Sequence, residues 1–175
     1  MARVHSDPEG VSVELEPNEA ELLAALPTEL RRYFDVVTDP EDPVYQRLFP
    51  RAYLDPTEDQ AEMAYTAFVR PESSEERLNA LDALTLALED ATDVRGGVMV
   101  RLNADQADAW ARALNEARLT LGVQLHITEE HDLDSLDPGD PRAPMAAIYG
   151  WLSWLQTEII EALLPAYEHI PDDES

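Results

Sequence analysis

An internal repeat, in which a short strand runs directly into a helix, constrains this chain more than any other feature. The stretches GVSVELEPNEAELLAAL and GVMVRLNADQADAWARAL begin at Gly10 and Gly97 and align at a constant offset without a gap. In each stretch, apolar residues first alternate with polar ones, as in a half-buried strand, and then recur at helical spacing. Two strands alone are marginally stable unless helices cover one face. The repeat therefore predicts two strands that pair in one small ribbon against a layer of helices.

Helical spacing dominates the remainder of the sequence. It predicts a helix after each strand, one over about 58–69, one through SSEERLNALDALTLALED that Ser74 could cap, and a last one through PMAAIYGWLSWLQTEIIEALL. Pro27 interrupts the first helical run, so a kink or a break is predicted there. The predicted fold class is mainly α: a compact helical bundle of roughly five to six helices with a small two-stranded β ribbon.

The length of 175 residues fits a single domain over 1–175. We expect residues 1–8 and 171–175 to be flexible tails, and the polar stretch 126–143 to be an acidic surface loop. The last helix is apolar over a wide face, which predicts burial against several neighbours or a contact in a homodimer.

The net charge of the chain indicates which class of partner, nucleic acid or protein, it is suited to bind. It carries 37 acidic residues against 12 basic ones, all of them arginine, for a formal net charge of -25. Such a surface repels phosphates, so direct DNA binding is not expected. A protein partner with a basic surface fits better, because opposite charges steer association. The alternative interpretation is that the charge serves only solubility.

Several classes of chemistry lack their sequence signals. There is no cysteine, which excludes disulfides and thiol nucleophiles within these residues. His126 and His131 are five residues apart, about 140° round a helix, so we expect no metal site there. No nucleophile-elbow or phosphate-loop pattern occurs. We therefore expect no cofactor and no enzymatic activity. No apolar run reaches membrane-spanning length and no signal peptide is evident, so a cytoplasmic location without a membrane anchor is expected.

The stretch DPVYQRLFPRAYLDP places arginines and aromatic residues close together between prolines. Two interpretations of Arg47, Phe49, Arg51 and Tyr53 stay open. In the first, the arginines bind nearby carboxylates and clamp the loop to the body of the protein. In the second, they form a docking patch, because arginine and tyrosine are enriched at interface hot spots. Arg118, in LNEARLTLG, could approach the same place from another helix.

Three stretches together resemble a known actinobacterial family: DPVYQRLFPRAYLDPTEDQAE, AWARALNEARLTLGVQL and IYGWLSWLQTEIIEALL. The specific parts are the segment from Arg47 to Tyr53, and the segment from Leu114 to Gly122 that contains Asn115 and Arg118. The family was formerly a domain of unknown function and is now named for oxidative-stress transcriptional regulation. The resemblance runs in order over nearly the whole chain.

The resemblance implies a non-enzymatic cytoplasmic regulator that acts through protein–protein interaction, in association with an alternative sigma factor or another transcription component. The redox device proposed for the family is a pair of N-terminal cysteines, and this sequence has none. Genes of the family often lie beside that of the Clp protease adaptor. The first alternative is therefore an accessory or adaptor protein of Clp-type regulated proteolysis, and the second is an enzyme with an acidic site.

Overall fold

The computed structural model describes residues 1–8, 10–34, 39, 41–127, 137 and 139–167. The elements in these residues are, in chain order, β1 (Arg3–Asp7), β2 (Gly10–Leu15), α1 (Pro17–Phe34), α2 (Pro43–Leu48), α3 (Asp59–Phe68), α4 (Arg70–Glu89), β3 (Thr92–Val94), β4 (Gly97–Asn103), α5 (Ala104–Gln124) and α6 (Ala143–Tyr167). A single 3-10 turn, Pro56–Glu58, precedes α3. The predicted class, mainly α with a small sheet, is confirmed.

The sheet has four strands in the order β1-β2-β4-β3, and all neighbours are antiparallel. The predicted pairing of the two repeated strands is confirmed, with Val11 opposite Leu102 and Val13 opposite Val100. The prediction of a two-stranded ribbon is wrong in the number of strands. Each repeat contains one further strand before the predicted one, β1 before β2 and β3 before β4. These two strands lie at the sheet edges and are mostly polar, so they show no apolar alternation. The repeated unit is thus a hairpin followed by a helix.

The two glycines that begin the repeats are required by the close approach of the central strands. A Cβ atom on Gly10 would lie 2.0 Å from the carbonyl oxygen of Leu102, and one on Gly97 would lie 1.9 Å from that of Leu15. Gly10 also has a φ of 152°, which side-chain-bearing residues rarely adopt. The repeat is therefore visible in the sequence partly because the same steric requirement recurs at both ends of one strand pair.

Residues 1–8 are not a flexible tail, contrary to the prediction. Arg3–Asp7 form β1, which pairs with β2 over its whole length. Ala2 is buried, and its N–H donates to Oε1 of Glu19 at 2.8 Å. Backbone pairing and a buried hydrogen bond order this segment although its side chains are mostly polar.

The hydrophobic core lies between the sheet and the helices. Trp110 and Leu114 of α5 are fully buried in it, as are Leu152 and Leu155 of α6. Helix α6 packs against α5 and against strands β1 and β2, so the wide apolar face predicted for it is covered by several neighbours within the chain. The homodimer contact stays a prediction.

Two proline positions differ from the sequence expectation. Helix α1 continues through Pro27, because Leu23 and Leu30 anchor it in the core on both sides. Helix α4 begins at Arg70, one turn earlier than expected, because Pro71 suits the first turn of a helix. Ser74 consequently lies inside α4 and is not its cap.

The predictions for the C-terminal tail and the acidic loop concern residues that lie largely outside those described. Residues 171–175 and most of the 126–143 stretch are among them, while His126 and Ile127 follow α5, and residues 139–142 form the turns that lead into α6. Among the helices that the structure describes, none is long and apolar enough to cross a bilayer.

Candidate functional site

Helix α2 places the Arg-aromatic stretch against a second, smaller apolar cluster. Asp42 caps this helix by accepting hydrogen bonds from the N–H groups of Val44 and Tyr45. The cap fixes the helix start directly before Pro43, which suits the first helical turn. The buried members of the cluster are Tyr33, Val44, Leu48 and Phe49.

Phe49 is an internal anchor and not part of an exposed patch. Its ring is buried and meets the ring of Phe34 edge-on at 6.0 Å and that of Tyr45 at 5.1 Å between centroids. Two guanidinium groups also lie over the ring, that of Arg77 at 4.7 Å and that of Arg70 at 5.7 Å. Cations over an aromatic face are attracted to its quadrupole. Both arginines belong to α4, so these contacts join α2 to α4.

Glu62 of α3 holds the segment that follows Phe49. Its Oε2 accepts the N–H groups of Ala52 and Tyr53, both at 3.0 Å. Its Oε1 lies 3.8 Å from the guanidinium of Arg70, which in turn donates to the hydroxyl of Tyr45 at 2.8 Å. This buried carboxylate therefore connects α3, α4 and the loop after α2.

Arg51 is clamped within the chain. Its guanidinium donates to Oδ1 of Asp59 at 2.7 Å and to the carbonyl oxygen of Tyr53 at 3.2 Å. The hydrogen bond with Asp59 raises the pKa of Arg51 above its usual value. The pair is exposed, so it orients the loop more than it stabilises the fold.

Arg118 and Asn115 lie on α5. Arg118 donates through Nε to Oγ of Ser153 at 2.7 Å and through Nη1 to Oε1 of Gln156, and its guanidinium lies 5.5 Å from the ring centroid of Tyr149. These partners are neutral and belong to α6. Arg118 therefore joins α5 to α6, and it forms no ion pair with a carboxylate of the described residues.

Arg47 joins Asn115 and Arg118 in lining one cavity, of about 320 Å³, between α2, α5 and α6. The remaining lining residues are Leu119, Gly122, Val123, His126, Ile127 and Tyr149. Of the six candidate residues, the structure thus brings Arg47, Asn115 and Arg118 together and places Phe49, Arg51 and Tyr53 in the contacts with α3 and α4.

Helix α3 exposes apolar residues around most of its circumference. Of its ten residues only Glu62 is buried, and the helix packs mainly on α4 and on the turn before it. Met63 is 72% exposed and Phe68 is 82% exposed, and Leu54, in the loop before the helix, is 85% exposed. We call Leu54, Met63, Phe68 and the neighbouring Val69 the α3 surface. Met63 and Phe68 are five residues apart, about 140° round the helix, so the α3 surface extends over two sides of α3. A group of large exposed apolar residues on one short helix is typical of an interaction site.

Sequence reasoning missed the residues that support this site, namely Glu62, Arg70 and Arg77. Arg70 and Arg77 are seven residues apart and so share one face of α4, a spacing visible in the sequence. Nothing in the sequence connects that face to Phe49. The exposure of Met63 and Phe68 was equally hidden, because their apolar character predicts burial.

Glu116 is a mostly buried acid whose contribution to stability changes with pH. It accepts from Nη1 of Arg77 at 2.7 Å, yet burial raises its pKa above 4.5, and the charge of Arg77 offsets this only in part. A raised pKa in the folded state means that the folded state holds the proton more tightly, so stability falls as pH rises from about 4.5 through the raised pKa.

We therefore expect Glu116→Gln to gain stability relative to the wild type as pH rises from about 4.5 to 7, as measured by urea unfolding at several pH values. The exposed Glu161→Gln on α6 is the matched control and is expected to follow the wild type. A constant difference between Glu116→Gln and the wild type over this range would contradict the assignment.

In the described residues, no group of three or more histidine, aspartate or glutamate side chains is arranged to hold a metal ion. His126 lies in this part of the chain, whereas His131 lies outside it. The geometry offers cation–π contacts, ion pairs, a cavity and an apolar helix, all of which are suited to binding.

Comparison with known proteins gives the family of the chain. Residues 1–163 match the family described as a domain of unknown function, DUF2017. The chain belongs to this family. The family resemblance inferred from the sequence is confirmed.

Curated relatives of the chain come from mycobacteria. "Oxidative stress regulator AosR" of Mycobacterium tuberculosis (strain H37Rv) and of Mycobacterium bovis are each 30% identical to it over 132 residues, 71% of this chain and 60% of the relative. "Putative oxidative stress regulator AosR" of Mycobacterium leprae is 31% identical over the same shares. The chain thus spans about 60% of the length of the curated relatives it matches. No solved structure matches it.

Proposed function

We propose that this member of the family is a non-enzymatic regulatory protein of the oxidative-stress response, and that it acts by binding another protein through the α3 surface. The names of the mycobacterial relatives support the regulatory role. The exposed apolar α3 surface is the observation that supports binding as the mode of action. In a chain with a net charge of -25, these large apolar side chains are nevertheless exposed to solvent.

The charges around the α3 surface define the chemistry of the partner. Residues 51–76 hold seven acidic side chains and two arginines. Both arginines, Arg51 and Arg70, are already paired with carboxylates, those of Asp59 and Glu62. Exposed apolar side chains interspersed with acidic ones fit a partner surface that is apolar and carries basic residues beside its apolar part. We propose a basic surface on a component of the transcription machinery, such as an alternative sigma factor.

An oxidant signal has to reach these 175 residues by a route other than a thiol of their own. The 175 residues contain no cysteine, so no disulfide can form within them. We propose that the partner senses the oxidant, or that the signal changes how much of the partner is present. The role of this chain is then to bind and not to sense.

Complementation tests this function. In an actinobacterium whose own copy has been deleted, the wild-type chain is expected to restore growth in hydrogen peroxide, and the double variant Met63→Ser, Phe68→Ser is expected to fail. Residues that act as hot spots contribute about 2 kcal/mol or more each to binding, so loss of both apolar side chains is expected to abolish the interaction. Growth rate in peroxide is the measurement, with equal protein levels checked by immunoblot.

Leu86→Ser is the matched control, since Leu86 is also exposed, at 59%, but lies on α4. It is expected to complement like the wild type. Full complementation by the α3 double variant would exclude the α3 surface as the site of action. Co-purification with tagged chains identifies the partner: if a Clp protease component is retained by the wild type and lost from the double variant, the adaptor function replaces the transcriptional one.

A further inference from the structure

The cavity between α2, α5 and α6 concentrates free positive charge in a strongly acidic chain. Eight of the twelve arginines form ion pairs with carboxylates of the described residues. Arg47, Arg95, Arg101 and Arg118 do not, and two of these, Arg47 and Arg118, line this one cavity. None of the nine lining residues is acidic, although the chain has 37 acidic residues.

The guanidinium donors of the cavity are available. Arg47 is exposed and has no hydrogen-bond or ion-pair partner among the residues described. Arg118 uses Nε and Nη1 for Ser153 and Gln156, which fixes its plane, and its Nη2 has no partner within the same residues. A planar guanidinium held in place by neutral groups can donate hydrogen bonds to a carboxylate with little ordering cost.

His126 adds a polar group to the same cavity, in an unusual backbone conformation. It follows the last turn of α5 with a φ of 54°, and it is the only described residue other than glycine with positive φ. The N–H of Ile127 donates to the carbonyl oxygen of Gly122 at 2.9 Å, as in helix ends that normally carry glycine at this position. Glycine would relieve that backbone, whereas histidine places an imidazole at the cavity.

Most of the other lining residues of the cavity are apolar. Leu119, Val123 and Ile127 line it together with the ring of Tyr149. Its volume of about 320 Å³ lies at the lower end of the range for small-molecule sites. Two cations beside an apolar wall fit a ligand that is negatively charged at one end and apolar at the other.

We infer that this cavity binds a small organic acid, with its carboxylate between Arg47 and Arg118 and its apolar body against Leu119, Val123 and Tyr149. Long-range repulsion from a chain of net charge -25 disfavours anions in general. Binding of such an acid would therefore depend on this local pair of guanidinium groups. The inference goes beyond the proposed function, because it gives the regulator a small-molecule site separate from the α3 surface.

Titration of the full chain with benzoate, followed by amide NMR, tests this inference. Saturable shifts are expected at the end of α5, around Gly122 and Val123. Benzamide has the same shape without the charge and is expected to bind at least tenfold more weakly. Inorganic phosphate, which has the charge without the apolar body, is also expected to bind more weakly than benzoate.

Three variants locate the site. Arg47→Gln is expected to weaken benzoate binding about tenfold or more, the loss of one charge-assisted hydrogen bond. Arg95→Gln makes the same change in charge at an exposed turn and is expected to leave binding unchanged. Gly122→Leu keeps both arginines and places a side chain in the cavity that Gly122 lines. The backbone tolerates the change, because a Cβ atom at this position meets only ordinary contacts at 3.8 Å and beyond. This variant is expected to abolish binding without unfolding the chain.

Equal weakening by Arg47→Gln and Arg95→Gln would overturn the inference, and so would equal affinity for benzoate and benzamide. Absence of saturable benzoate shifts in the wild type would also overturn it. Complementation in peroxide tests the α3 surface, and the benzoate titration tests the cavity. Failure of one test therefore does not decide the other.

Discussion

Replacing Glu19 with alanine is expected to lower the free energy of unfolding by about 3 kcal/mol. Glu19 lies in the first turn of α1 and is buried. Its Oε1 accepts the N–H of Ala2 at 2.8 Å and Nε1 of Trp151 at 3.1 Å, and its Oε2 accepts the N–H of Glu16 at 2.9 Å. One carboxylate thus connects the start of β1, the N-terminus of α1 and helix α6.

The cost arises because three donors lose their acceptor together in a place that water reaches poorly. A buried donor without a partner costs about 1–3 kcal/mol. The positive end of α1 loses a negative charge as well, which adds a few tenths to about 1 kcal/mol. Urea unfolding followed by Trp fluorescence measures the effect, provided that the slope with denaturant is unchanged.

Glu21→Ala is the matched control, because Glu21 is exposed on the same helix. Its effect is expected to stay within about 0.5 kcal/mol. Glu19→Gln keeps the shape and one acceptor oxygen and is expected to fall between the wild type and Glu19→Ala. If Glu19→Ala is as stable as Glu21→Ala, the hydrogen bonds of Glu19 do not hold these elements together.

Replacing Phe49 with alanine is expected to cost about 3–5 kcal/mol, the range for truncation of a buried aromatic residue. The ring fills the α2 cluster and receives the guanidinium groups of Arg70 and Arg77 from α4. Its loss leaves a cavity and removes the aromatic surface from both cations. The measurement is again the free energy of unfolding, and loss of protection in α2 under hydrogen exchange should accompany it.

Phe68→Ala is the control for this prediction, since Phe68 is 82% exposed and has no such packing. It is expected to change stability by less than about 0.5 kcal/mol. Phe49→Leu, which retains much of the volume, is expected to lie between the two. Equal stability of Phe49→Ala and Phe68→Ala would show that Phe49 is not an anchor.

The central part of the fold was readable from the sequence for a physical reason. Strands β2 and β4 are buried on one face, so their apolar residues must alternate, and that alternation is a direct signal. The edge strands β1 and β3 carry mostly polar side chains and are ordered by backbone hydrogen bonds, which leave no apolar pattern. The predicted break at Pro27 and the predicted cap at Ser74 were wrong for a related reason. In both places tertiary packing overrides a local preference.

The candidate site was predictable only in part. The sequence drew attention to Arg47, Arg51 and Arg118, but the structure gives them different surroundings: Arg51 bonds to Asp59, while Arg47 and Arg118 line the cavity. Glu19 and Glu62 could not be distinguished by sequence from the other acidic residues of the chain. Their importance comes from burial beside donors distant in sequence, which only the three-dimensional arrangement supplies.

The central claim, that the protein acts by binding another protein through the α3 surface, is tested most directly by photo-crosslinking in cells. Phe68→p-benzoylphenylalanine places the reactive group on α3, and the same change at Leu86 places it on α4. From position 68 we expect one dominant crosslinked protein, a transcription component with a basic surface, which Met63→Ser diminishes. Equal products from positions 68 and 86, or no product from position 68, would contradict the claim.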